Sequence, residues 1–448
     1  MGEGTRRAAV VRDLLAMLLT RIVMLSAVFV AVGALTVVVR DGSTASAAPD
    51  PTPAVDRCGP AWVAAWQTSP QAVAPGRRLA GRTLRMIGRP QAAGSQLRLR
   101  LSNRFGAAPL PLGRVSAAWA ATGAALVPDT VTPVTFDGRV DVAIPPGAEL
   151  LSDPAPVVTE AGRPLAVSLV LPRTPEVVAE HPVALQTSYL SLPGDASKDD
   201  GGAAFTTRIG SWMILTGVDV LVPRPMNAVV AMGDSITDGV GSGSDTDSRW
   251  SDALSERLAR RGGRAAMAVL NAGISRNELL ADRREGGESP LVRFVPEVVD
   301  VPGVTDVVLH IGTNDLEAGR SAGEIIDGLV RFTDLGRAAG RRVFLTTITP
   351  SRTGERGSAD ARAAREGVNR WVRERGRYHA DGVFDFAAAV ADPRDTARLL
   401  ARYDAGDGLH LSEAGYRALA DAVDVTRMTG SPCLAGAGAP ARVSLAGG

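Results

Sequence analysis

Five short, almost wholly apolar runs punctuate the second half of the chain: NAVVAM at 227–232, AMAVLN at 266–271, TDVVLHI at 305–311, RVFLTTI at 342–348 and VFDF at 383–386. Runs this short and this apolar suit strands buried on both faces, which belong in a parallel sheet covered by helices on each side. The stretches between them agree. Over 248–261, Trp250, Leu254 and Leu258 fall on one helical stripe. Further helices are expected near 322–338, 359–376 and 412–422. The alternation predicts an α/β domain over about 225–425, with 426–448 as an irregular tail.

Upstream of the Arg224-Pro225 step the period changes. QLRLRLSN at 96–103 places Leu97, Leu99 and Leu101 on one face and Arg98 and Arg100 on the other. Such alternation marks a strand with one buried face. RVDVAIP at 139–145, PLAVSLVLP at 164–172 and SWMILTGVDVLVP at 211–223 repeat the pattern between Gly-, Pro- and Asp-rich turns. With no convincing helix among them, a jelly-roll-like β-sandwich over 60–222 is the simplest expectation.

The N-terminus reads as a targeting segment. Arg6, Arg7, Arg12 and Arg21 precede 18 residues of apolar sequence at 22–39, and the A-x-A pattern of Ala45 and Ala47 places a cleavage after Ala47. The alternative is an uncleaved anchor, since such a run lies near the lower limit for crossing a bilayer. Either way residues 1–47 send the rest out of the cytoplasm, with 48–59 as a linker. Export permits Cys58 and Cys433, the two cysteines, to pair. The 49 basic residues nearly cancel the 48 acidic ones, and no basic patch stands out, which argues against a nucleic-acid partner.

Ligands of open parallel sheets bind beyond the carboxyl ends of the strands, and the polar motifs lie there. AMGDSITDG at 231–239 ends the first buried strand, and Ser235 could present both its hydroxyl and its N–H to a substrate. Small and polar residues are also what any turn wants, so a base decides the matter. His410, in DAGDGLHLSEAGY, stands just before a helix, with Asp407 three residues earlier. That spacing lets the carboxylate take the Nδ1 proton and leaves Nε2 to accept the serine proton. Asp404 is the reserve partner.

An acyl-transfer site also needs donors for a developing oxyanion. NAGIS at 271–275 offers the N–H of Gly273, and HIGTND at 310–315 offers the side-chain amide of Asn314. Each alone also reads as a turn residue. His310 is expected as a hydrogen-bonded core histidine, or else as a pocket residue beside Asn314. Asp234 and Asp238 read as loop-organising groups, since no further ligands cluster with them. No metal or organic cofactor is expected.

GDSITDG, NAGIS, GTND and DGLH together resemble the four sequence blocks of the SGNH hydrolases, also called GDSL lipases and esterases. The resemblance implies a flavodoxin-like three-layer α/β/α domain. It also implies a triad of Ser235, Asp407 and His410, and an oxyanion hole formed by Ser235, Gly273 and Asn314. AWVAAWQTSP and LRLRLSNRFG are similar to the β-domain of a bacterial two-domain subgroup, which raises carbohydrate esters as substrates. A lipase or phospholipase, a thioesterase, and a noncatalytic glycan-binding protein of the cell envelope are the competing readings. Trp62 and Trp66 could form a sugar platform, although tryptophans four residues apart are more often buried packing. Membrane contact is expected only through an uncleaved N-terminal segment.

Overall fold

The computed structural model describes residues 58–434. The targeting segment, the cleavage after Ala47, the linker up to residue 57 and the tail beyond 434 lie outside the described residues.

The carboxyl-terminal half is a five-stranded parallel sheet in the order Ala268–Gly273, Ala228–Gly233, Val304–His310, Arg342–Thr346, Gly382–Phe384. Numbered along the chain this is 2-1-3-4-5, the flavodoxin-like order, whose switch point falls between the first and third strands. Strand Ala228–Gly233 is buried throughout, as its unbroken apolar sequence requires. Helices Trp250–Arg261, Ala322–Ala338, Ala359–Glu374 and Glu413–Ala422 flank the sheet. Ser321, Ser358 and Ser412 cap three of them with their hydroxyls, each accepting a first-turn N–H.

The β-rich half holds a four-stranded and a six-stranded antiparallel sheet. Leu97, Leu99 and Leu101 are fully buried as the alternation requires. Arg98 and Arg100 on the opposite face converge on Asp219 of the neighbouring strand, at 3.7 and 3.3 Å. The single strand expected over 211–223 is broken. Ile214 has φ +70° and divides Trp212–Met213 from Leu215–Val222, which join different sheets. A β-branched residue there is strained, and its N–H is held by Ala179 O at 2.7 Å.

The two halves share one hydrophobic core inside a single compact unit, running from Val63 and Leu97 to Leu270 and Phe332. Ala64 N–H reaches across to Pro302 O at 2.9 Å. Past the last helix the chain stays attached: Thr429 N–H donates to Asp306, Ser431 Oγ to Ala266 O, and Cys433 is bonded to Cys58. A bridge of this kind forms in oxidising compartments. Among the described residues no helix is long and apolar enough to cross a membrane.

Candidate active site

Ser235 opens a single helical turn, Ser235–Asp238, directly after its strand. Asp234 caps the turn by accepting the Ile236 N–H at 3.0 Å, and Gly239 closes it at φ +103°, a conformation that favours glycine. A Cβ on Gly233 would lie 2.1 Å from His310 O, so the position before Asp234 must be glycine. Asp234 is fully buried and its second oxygen has no hydrogen-bond partner. Burial pushes its carboxyl up to about 7, against the opposing pull of the Ile236 N–H and the Arg356 charge.

His410 arrives from the loop before helix Glu413–Ala422. Its Nε2 lies 2.9 Å from Ser235 Oγ, and its Nδ1 lies 2.6 Å from Asp407 Oδ2. Asp407 Oδ1 also accepts the N–H groups of Leu409 and His410, at 2.9 and 2.8 Å. Partial burial raises the Asp407 carboxyl, but the His410 ring and these N–H bonds outweigh it and hold the group below the usual range. Asp404 does other work: its side chain accepts from Gly406 and Gly408 and shapes the loop.

Asn314 lies on the turn Thr313–Glu317, which Gly312 opens at φ +119°. Its Nδ2 donates to Asn277 O at 2.9 Å and its Oδ1 accepts from Arg356 Nη2 at 2.7 Å. A carbonyl only accepts and a guanidinium only donates, so these two partners fix which way the amide faces. Arg356 is itself held by Thr313 O and by Glu317 at 2.9 Å. Nothing in its surroundings in sequence, TGERG, marks it.

Gly273 is placed differently from the expectation. Its N–H donates to Asn271 Oδ1 at 2.8 Å, and a Cβ there would come within 2.2 Å of Asp238 N, so close packing accounts for the glycine. In the turn that follows, Ile274 N–H is taken by Gly233 O, Ser275 N–H by Asp238 Oδ2 and Asn277 N–H by Ile274 O. Arg276, at φ +67°, supplies the one N–H of 273–277 with no acceptor among the described residues.

His310 is a core residue. It is buried, its Nδ1 donates to Thr346 Oγ1 at 2.8 Å, and burial pushes its pKa down to about 3. Trp66 is also buried, edge-on to Trp212 at 5.0 Å, and Arg98 covers the Trp62 ring at 4.0 Å. Trp66 is packed away from solvent, and Trp62, half-buried, has one face covered by an arginine. Asp238 is buried between His181 Nε2, at 2.9 Å, and Ser275. Among the described residues no group of three or more His, Cys, Asp or Glu side chains could hold a metal ion.

Residues 231–418 match the family described as GDSL-like Lipase/Acylhydrolase. No curated protein matches the chain. Among solved structures, a lipolytic protein of the G-D-S-L family from Desulfitobacterium hafniense is similar at 16% identity, over 45% of this chain and 99% of that one, with a TM-score of 0.36. A carbohydrate acetylesterase family member from Sinorhizobium meliloti is 18% identical over 46% of this chain and 99% of its own, with a TM-score of 0.35. The aryl esterase of M. smegmatis is 19% identical over 44% and 95%, with a TM-score of 0.34.

Proposed function

Because residues 231–418 belong to the GDSL-like lipase/acylhydrolase family, the SGNH hydrolases, we propose that the chain is an exported serine ester hydrolase with Ser235 as nucleophile. The observation that carries this reading is the line of short contacts from Asp407 through His410 to Ser235, at 2.6 and 2.9 Å. With its Nδ1 proton on Asp407, His410 keeps Nε2 unprotonated toward Ser235. It takes the hydroxyl proton as Oγ attacks the ester carbonyl, and gives it to the leaving alcohol. Water, activated by the same nitrogen, then releases the acid. None of these steps uses a metal or organic cofactor.

The developing oxyanion is met by the Ser235 N–H, the Asn314 amide and a backbone N–H from the turn after Gly273. Gly273 itself would have to give up Asn271, whereas Arg276 has no acceptor to release among the described residues. The loops that carry the site residues are polar: Thr353 donates to Asp407 O, Arg356 to Asn314, and Asp404 accepts from Gly406 and Gly408. This setting suits a hydrophilic alcohol carrying a short acyl group, and we take acylated carbohydrate as the substrate class. The β-rich half is proposed as a jelly-roll-like sandwich, supported by its four- and six-stranded antiparallel sheets. The disulfide and the apolar N-terminal run support export.

A fluorophosphonate probe tests the nucleophile. Mass spectrometry of labelled, full-length protein is expected to find the adduct on Ser235, and none after Ser235→Ala. Labelling elsewhere, or none on folded protein, overturns the assignment.

A further inference from the structure

Behind the turn 274–277 the β-rich half inserts two buried residues. Ser69 follows strand Ala61–Gln67, and His181 ends strand Val178–His181; they are 0% and 4% exposed. His181 Nδ1 lies 2.9 Å from Ser69 O, and its Nε2 lies 2.9 Å from Asp238 Oδ1. A carbonyl and a carboxylate can only accept, so both ring nitrogens carry protons and His181 is an imidazolium. Burial opposes that charge, but Asp238 and the two hydrogen bonds override it and raise the pKa. The other Asp238 oxygen accepts the N–H and the hydroxyl of Ser275, at 2.9 and 2.8 Å.

A second path starts from the same serine. Ser69 Oγ accepts from Arg293 Nη1 at 3.0 Å and donates to Glu297 at 2.8 Å. Arg293, 1% exposed, also donates to Gly233 O, Ala272 O and Asn277 Oδ1. It therefore grips the ends of the first two parallel strands together with the turn. Asn277 O is the acceptor that fixes the Asn314 amide. Both paths lead from Ser69 to the groups that would meet the oxyanion.

We propose that the β-rich half is a working part of the catalytic centre, with His181 as a positioning residue that holds turn 274–277 through Asp238. The inference rests on the ester-hydrolase reading above. Apolar residues could join the two halves at least as firmly, since burying an ion pair carries a large desolvation cost. What apolar contacts would lack is direction. The imidazolium fixes one carboxylate oxygen of Asp238, which aims the other at Ser275 and sets the turn. Among the described residues, none from 225–425 donates to Asp238 Oδ1.

Full-length protein is assayed with p-nitrophenyl acetate, recording kcat, KM and Tm for His181→Leu, His181→Gln and Ser275→Ala. His181→Leu is expected to lower kcat about tenfold or more with KM held within about twofold, because a misplaced oxyanion donor acts on the transition state. His181→Gln, whose amide can still donate to Asp238, recovers part of the loss. Ser275→Ala removes one hydroxyl from the turn and leaves the contact between the halves intact. It is expected to lower kcat about threefold at unchanged Tm, and it decides the matter if the His181 variants fail to fold. Folded His181→Leu with wild-type kcat, or Ser275→Ala with wild-type kcat, overturns the proposal. Turnover that survives Ser235→Ala contradicts the hydrolase reading instead, whereas Ser235-dependent turnover indifferent to His181 and Ser275 contradicts only the present inference.

Discussion

Asp234→Asn should make the protein more resistant to alkaline unfolding than the wild type, by an amount that grows with pH. The wild-type carboxyl is buried beside the nucleophile, with one oxygen accepting the Ile236 N–H and the other unpartnered. Its pKa is raised from 3.8 to about 7. A carboxyl so raised binds its proton more tightly folded than unfolded. Its cost is therefore absent below about pH 4, grows as pH rises, and levels off above about pH 7. At 1.36 kcal/mol per pH unit the full cost is about 4 kcal/mol. About 1.5 kcal/mol of it is present at pH 5, leaving a change of about 3 kcal/mol between pH 5 and pH 8. Asparagine keeps the cap and never ionises. With an unfolding entropy of about 2 cal/mol/K per residue, roughly 0.8 kcal/mol/K over residues 58–434, the Tm difference between variant and wild type should move by about 4 °C in favour of the variant. Thermal unfolding of both proteins at pH 5 and pH 8 measures it. A Tm difference that is the same at both pH values, whatever its absolute size, would mean that Asp234 does not titrate with a raised pKa in the folded protein.

Arg356→Ala frees the Asn314 carbonyl oxygen and lets the amide turn. Turnover should fall about tenfold with KM little changed, and steady-state kinetics showing wild-type kcat would remove Arg356 from the site. Replacing Cys58 and Cys433 together by serine opens a closure 375 residues apart in sequence. Loop-entropy reasoning puts the loss at about 6 kcal/mol at most, and a Tm equal to wild type would show that the bridge does not constrain the unfolded chain. Arg276→Gly relieves a positive φ while keeping the backbone N–H, so turnover should persist and Tm should rise slightly, by about 1 °C; a tenfold loss of kcat would mean that the side chain, not the backbone, serves the reaction.

The parallel sheet was legible because a strand buried on both faces leaves an unbroken apolar run, and all five such runs pair in the observed sheet. Ser235, Asp407, His410 and Asn314 were legible because each follows a strand or precedes a helix with a spacing that limits where it can point. Gly273 shows the limit of that reasoning. A glycine at a strand end announces close approach of something, and here the approaching group is the Asp238 backbone. His181, Ser69, Arg293 and Arg356 left no signal, because their partners lie up to 228 positions away in the chain and isolated polar residues carry no period. The break at Ile214 was equally hidden, since a β-branched residue gives no warning of φ +70°.

Ser235-dependent ester hydrolysis is tested most directly by a matched panel of acetylated oligosaccharides and short- to long-chain acyl esters, offered to residues 48–448 and to the same protein with Ser235→Ala. Acid release is expected to be fastest from the acetylated sugars and to be lost with the serine. Folded protein inactive on every member, or turnover that survives Ser235→Ala, would contradict it.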